Sequence, residues 1–363
     1  MRGGPLRAPL RLVVYLSLVC LPMLVGSAAY ATGSVSPGSI AALSRLPGPI
    51  ANPMPSPTLA SVTTVLAPSS FEQLQSDLAA IAAQSGAWVG ISLQDLSGPR
   101  RNALSLNGSQ SFYAASAYKL PLLMAEAQQV AAGETSLSDV LCFDPSDAED
   151  GWFNDYQLGS CFTRDELAVR AGHYSDNTAA HILVRYLGGP DALNGYAKSI
   201  GMSASALWNP NTTTTDDLIA AWLNEVLGRL GGEAAQNWLY PVLTHTANEE
   251  GIPAGILSAA LSTPGAADAV AATVVHKIGT MYGTENDSAY VVSGRTSYVV
   301  SIAVDGIDES AGWSMIAGIS GRIWQYEASR PDFVAAVEVT PAASDPRSNR
   351  HQRANGARRP GGF

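Results

Sequence analysis

The chain is poor in charge and poorer still in lysine: 14% of its 363 residues are Asp, Glu, Lys or Arg, and Lys119, Lys198 and Lys277 are the only lysines. Three arginines fall in residues 1–31, and five against one aspartate fall in 341–363. Taking these +3 and +4 segments from a formal charge of −10 leaves −17 on residues 32–340. A body of that sign repels DNA and RNA, so no nucleic-acid partner is expected. Long apolar runs are missing as well. The run at 12–25 has 14 residues, short of the roughly 20 that a span requires, and no other stretch could cross a membrane. The five histidines show no metal-ligand spacing, and neither a Gly-x-Ser-x-Gly elbow nor a phosphate-binding glycine loop occurs. No metal or other cofactor is expected. What the chain does have is 46% hydrophobic residues, ample for a sizeable core in one large domain or two small ones.

Arg2, Arg7 and Arg11 precede the apolar run, and Ala29-Tyr30-Ala31 offers a small-x-small cleavage site. Residues 1–31 therefore read as a signal peptide, against the competing reading of a single membrane anchor. Cys20 belongs to that peptide. Residues 32–70 hold seven prolines among Ser, Gly, Thr and Ala, the composition of a linker. Residues 71–338 are the expected folded domain, and 339–363 a basic disordered tail, with docking on an anionic envelope polymer as the sharper reading. Cys142 and Cys161 are the remaining cysteines. In an oxidising compartment they could close a loop of about 20 residues; two free buried thiols are the alternative. The acids between them, Asp144, Asp147, Glu149, Asp150 and Asp155, miss the regular calcium-loop spacing and read as a solvated acidic loop.

Secondary structure can be placed coarsely. Ser70 with Gln73 forms a capping-box signature before Phe71, Leu74, Leu78 and Ile81, which recur at helical spacing. Strands are predicted at 88–96 and about 102–106, turned by Ser97-Gly98-Pro99. A long Ala- and Leu-rich section with helical periodicity follows from 116 to about 240, one helix opened by Thr163 with Glu166. Strand character returns at 274–277, 288–292 and 298–304, and a final helix over 311–327 carries Ile316, Ile319, Ile323 and Trp324 on one stripe. The pattern predicts a mixed α/β (α+β) domain: one antiparallel sheet formed by both ends of the domain, flanked by helices, with an all-helical region inserted. No internal repeats occur.

The chemistry lies in three short segments. Ser116-Ala117-Tyr118-Lys119 places a hydroxyl and an amine three apart at a helix start, on one face. The amine can reach the hydroxyl and take its proton, and the helix N-terminus favours developing negative charge. On its own the pair is weak, since a surface pair on an amphipathic helix looks the same. Ser175-Asp176-Asn177 follows 59 residues after Ser116, and Lys277, within His276-Lys277-Ile278-Gly279-Thr280, a further 102 residues on. In this order they match the Ser-x-x-Lys, Ser-Asp-Asn and Lys-Thr-Gly set of penicillin-recognising serine enzymes, and two of the three lysines fall on motif positions.

Over about residues 71–330 the chain thus resembles the class A β-lactamases and their serine-hydrolase relatives. Phe112-Tyr113-Ala114-Ala115-Ser116 resembles the approach to the nucleophile helix, Thr178-Ala179-Ala180 with Leu187-Gly188-Gly189-Pro190 the continuation of the second motif, and Tyr282-Gly283-Thr284-Glu285-Asn286-Asp287 the turn after the third. Ile252-Pro253-Ala254-Gly255 resembles the stretch before the third motif. The resemblance implies a β-lactamase/transpeptidase-like fold. It makes Ser116 the nucleophile, Lys119 its proton acceptor, and Ser175 the relay to the leaving nitrogen. Asn177 would bind the substrate's side-chain amide and hold Lys119. Lys277 and Gly279 belong to the third motif, Lys277 adding positive potential near the substrate carboxylate, and backbone N–H groups of Ser116 and Thr280 would form the oxyanion site. Asp176 reads as a loop support.

Two positions depart from the family pattern. Ile278 stands where a hydroxyl residue is usual. Leu207-Trp208-Asn209-Pro210 resembles the start of the loop that carries the deacylating glutamate, and Asn209 stands at that glutamate's place. Asp216, Asp217, Glu249 and Glu250 could replace it, but the first two read as first-turn helix charges and the others as solvated. The expectation is an exported, monomeric serine hydrolase of a bacterial envelope, secreted or periplasmic, that takes a small-molecule β-lactam or a cell-wall peptide and hydrolyses β-lactams slowly. A D-Ala-D-Ala carboxypeptidase-like amidase or esterase is the alternative, and a penicillin-trapping sensor or decoy another.

Overall fold

A computed structural model describes residues 66–97, 101–262, 272–294 and 296–329. The expected signal peptide, the linker up to residue 65 and the basic tail lie outside the described residues, as does 263–271, the middle of the Ala-rich stretch before Lys277.

Helix α1 (Phe71–Gln84) starts at Ser70, whose Oγ accepts the N–H of Gln73 at 3.1 Å. The Gln73 amide instead donates to Asp77 at 2.7 Å, so only half of the expected capping box forms. Strands β1 (Trp88–Asp95) and β2 (Ala103–Leu106) follow as a hairpin, then β3 (Phe112–Tyr113), a 3-10 turn at Ala115–Tyr118, and α2 (Lys119–Ala131). The inserted region comprises β4 (Val140–Cys142), β5 (Cys161–Thr163), α3 (Arg164–Gly172), α4 (Asn177–Leu187), α5 (Pro190–Ser199), β6 (Thr212–Thr213), α6 (Thr215–Val226) and α7 (Gly232–Val242). Helix α8 (Ile252–Ser262), strands β7 (Thr273–Met281), β8 (Thr284–Val292) and β9 (Ser297–Asp305), and α9 (Glu309–Ser329) complete it.

The main sheet runs β2-β1-β9-β8-β7, antiparallel throughout, with β1 from one end of the domain paired along its length with β9 from the other, Trp88 opposite Asp305. Both faces are covered, so β8 and β9 are buried along most of their length, including the polar run Glu285-Asn286-Asp287-Ser288. On one face α1, α8 and α9 bury Leu74, Leu78, Ile256, Ile316 and Ile323 against Ile91, Val300 and Ile302. Val299 and Val275 face the other way, into a core built around α2. That helix is buried without interruption from Lys119 to Ala127, the mark of a central helix rather than a surface one. Lys119 and Glu126 are thereby carried into the interior by the packing of their apolar neighbours.

Cys142 and Cys161 face each other across the β4–β5 pair and are joined in a disulfide. Loop-closure entropy for its sequence separation of 19 corresponds to about 3 kcal/mol. Replacing both cysteines with serine is expected to lower unfolding free energy by about that amount in urea titration; an unchanged midpoint would refute a structural role. In the loop between them Asp144, Glu149, Asp150 and Asp155 are exposed, as expected of a solvated acidic loop, while Asp147 is buried. Asp147 meets Arg185 at 2.7 Å, Asp155 meets Arg170 at 2.7 Å and Glu149 meets His181 at 2.8 Å. Arginines and a histidine of α3 and α4 hold these acids, and periodicity along the loop does not reveal such partners.

Candidate active site

The site forms where the 3-10 turn, the β5–α4 region and the edge strand β7 converge. The turn carries Ser116 and passes directly into α2, so Lys119 opens the helix one turn below the hydroxyl. Ala115 has a φ of 45°, a left-handed conformation that a non-glycine residue holds only when its surroundings impose it. Two neighbours do so. Asn286 of β8 donates to the Tyr113 carbonyl at 2.9 Å, and Asn211 donates to the Ala115 carbonyl at 2.9 Å. Strand β7 lies so close to the turn that a Cβ on Gly279 would stand 2.4 Å from the Ala114 carbonyl oxygen and 2.7 Å from the Ala117 nitrogen. Glycine is required there by space alone.

Lys119 Nζ donates to Ser116 Oγ at 2.9 Å, to the Ser175 carbonyl at 2.6 Å and to Asn177 Oδ1 at 2.7 Å. Ser175, at a φ of 59°, turns its hydroxyl between two lysine amines: Lys119 Nζ lies 3.4 Å from its Oγ, and Lys277 Nζ donates to it at 2.9 Å. Burial pushes the Lys119 amine down to about 7, with Asp176 and Glu149 pulling it back up. Lys277 is held well below the ordinary amine range, first by burial and then by repulsion from Lys119, against an upward pull from Asp287. Asp287 also contacts His276 Nδ1 at 3.0 Å, while His276 Nε2 meets Thr246 at 2.9 Å. Asp176 supports the surrounding loop as expected: its carboxylate accepts from the backbone of Trp152 at 2.9 Å and Ala179 at 2.8 Å, and from the Tyr156 hydroxyl at 2.7 Å.

A cavity of about 700 Å³ opens here, lined in part by Ser116, Ser175, Asn177, Lys277 and Thr280. Lys119 and Gly279 stand just behind the wall. Asn209 is not brought into the site: its side chain is exposed, whereas its neighbours Trp208 and Asn211 line the cavity. Trp208 lies between Tyr118 and His181, ring centroids 5.9 and 4.5 Å away. The apolar residue after Lys277 has a structural reason. Alternation along β7 directs Val275, Lys277 and Gly279 toward the helical core, while Val274 and Ile278 pack on the opposite one. Because β7 is the edge strand, Ile278 and Thr280 still border the cavity.

Sequence reasoning missed Glu149, His181, Trp208 and Asn211 as cavity residues. For His181 a signal existed, since it follows Asn177 by four on α4 and so shares its face. No signal marks the others.

A profile of the beta-lactamase enzyme family matches residues 73–327. The chain belongs to the beta-lactamase enzyme family. A β-lactamase of Rhodobacter capsulatus is 34% identical over 150 residues, covering 41% of this chain and 50% of that relative. The chain CTX-M-25 of Escherichia coli is 28% identical over 246 residues, covering 62% and 79%. The chain spans half to three-fifths of the first curated relatives it matches. Among solved structures, PBP-A is similar with a TM-score of 0.63 at 25% identity, covering 72% of this chain and 98% of that one; a variant of PBP-A is known as its penicillin-G acyl-enzyme. The sheet built from both chain ends and the inserted helices are therefore the β-lactamase fold, as the resemblance implied.

Proposed function

We propose that this β-lactamase-family chain is an exported serine hydrolase, acylated on Ser116 by β-lactams or related amides and slow to release the acyl group. One observation carries the reading: a buried amine that ionises near neutrality sits 2.9 Å from the Ser116 hydroxyl. Neutral Lys119 takes the hydroxyl proton as Ser116 Oγ attacks the carbonyl carbon. The oxyanion forms against the backbone N–H groups of Ser116 and Thr280. The C–N bond then breaks, and the proton passes through Ser175, which both lysines contact, to the leaving nitrogen. Asn177 holds Lys119 and offers its amide edge to the substrate, and Lys277 sets a positive potential for the substrate carboxylate. The disulfide suits an oxidising compartment, which favours export.

Release is slow in this reading because Asn209 is not a base and faces solvent rather than the acyl group. The same exposure favours a second reading, a protein that acylates and stays acylated, as does the penicillin-G acyl-enzyme of the similar PBP-A variant. Intact-protein mass after mixing with penicillin G tests both. A penicillin-sized increment absent from Ser116→Ala and lost over minutes is the expected result. One that persists for hours supports trapping, and no increment overturns both.

A further inference from the structure

Among the cavity residues that the mechanism above leaves unused are His181 and Glu149. His181 lies on α4 one turn beyond Asn177, the residue that holds Lys119, and Glu149 lies on the loop that also presents Trp152 to the cavity. Both border the same space as Ser116. His181 Nε2 and Glu149 Oε2 are 2.8 Å apart. The Asp147 backbone also favours the protonated form of this imidazole. Protonated, the imidazole forms an ion pair with this carboxylate; neutral, it keeps one ring nitrogen with a lone pair.

We infer that His181, paired with Glu149, acts in its neutral form as the base that activates water to clear the Ser116 acyl group, supplying what the Asn209 loop lacks. This rests on the Ser116 acyl-enzyme reading. The pair takes one proton from water as the water oxygen bonds to the acyl carbon. The bond to Ser116 Oγ then breaks, and that proton returns to the serine through Lys119. The product leaves as a carboxylic acid that ionises in solvent. The pair borders the same cavity as Ser116, where a general base can act through bridging water.

The charges around the pair decide when it is free to act. Glu149 and Asp147 favour the protonated imidazole, but Arg185 already engages Asp147 at 2.7 Å. Burial and the Lys119 cation of α2 work against the proton and hold the His181 imidazole below its ordinary range. Trp208 covers one side of the ring, at 4.5 Å between centroids, and limits its access to bulk water. A base that works only in its neutral form gives turnover that is slow at low pH and rises as the imidazole loses its proton.

The test separates the two steps on the full chain with penicillin G, following Ser116 acylation by rapid-quench mass spectrometry and adduct loss after removing free penicillin. In His181→Asn and Glu149→Gln, acylation is expected within about threefold of the parent and adduct loss at least about tenfold slower. The double variant should be no slower than the worse single one, because the pair acts as a unit. The parent's adduct loss should rise with pH through an ionisation that His181→Asn lacks and Glu149→Gln shifts, a readout that a merely structural role would leave in place. Unchanged adduct loss in either variant, or a parent adduct that never clears, overturns the inference while leaving Ser116 acylation standing. Absence of any Ser116-dependent adduct in the parent overturns the acyl-enzyme reading itself and this inference with it.

Discussion

Lys119→Met is expected to slow acylation of Ser116 by about 10²–10⁴-fold, the range for losing a positioned general base. The residue is buried at the head of α2, and its amine has no role in the packing that put it there beyond the four contacts around Ser116, Ser175 and Asn177. Methionine keeps the length and apolar stem and removes only the group that can accept a proton. In the parent chain, acylation should rise with pH and level off above about 7, where burial has placed the amine. The direction follows from the chemistry: the ammonium form cannot take the serine proton, so the active fraction grows as pH climbs through that value. Quenched mass measurements between about pH 5 and 9 give both results, with thermal unfolding to verify that the variant is folded. A variant that acylates at the parent rate, or a parent rate flat across neutrality, would move the base elsewhere.

Arg164→Met should cost about 3–5 kcal/mol of unfolding free energy, the loss expected when one partner of a buried ion pair is removed. Glu126 lies on α2 with no solvent exposure, its Oε2 bonded to Arg164 and its Oε1 unpartnered. Burial already raises the carboxyl above its usual range, and the arginine charge and hydrogen bond oppose that rise. Without Arg164 the carboxylate is orphaned beneath the helix that carries Lys119. Adding Glu126→Leu should recover most of the loss, since an apolar pair of similar volume leaves no uncompensated charge. The single variant's deficit should also shrink as pH falls and Glu126 takes up a proton, because the penalty belongs to the charged form. Urea titrations of both variants at neutral and acid pH measure this. A loss below about 1 kcal/mol, or no recovery in the double variant, would show that the pair carries no structural weight.

Local signals account for much of this chain. The three-residue spacing of Ser116 and Lys119 is a helical repeat, and a helical repeat puts the two groups on one face wherever the helix lies. Thr163 accepts the Glu166 N–H at 3.1 Å as its position before a helix demanded, although the Glu166 side chain left the capping box to bind Arg170 at 2.7 Å. Strands at both ends with helices between them announced the sheet, because short apolar strands find partners only in one another. Asp216 and Asp217 begin α6 after Thr214, as first-turn charges should.

Other features depend on packing between segments far apart in the chain. Nothing in the local run Leu207-Trp208-Asn209-Pro210-Asn211 indicates that Trp208 and Asn211 turn inward and Asn209 outward. Ile278 looked like a lost hydroxyl until the alternation of β7 set it against the opposite core. Glu149 was one acid among five until α4 brought His181 to within 2.8 Å of it. Periodicity records which way a residue faces within its own element, so the motif residues and the strands were readable from order and spacing. The meeting of a loop carboxylate with a helix imidazole depends on how a loop closes over a core, and only the assembled fold determines that.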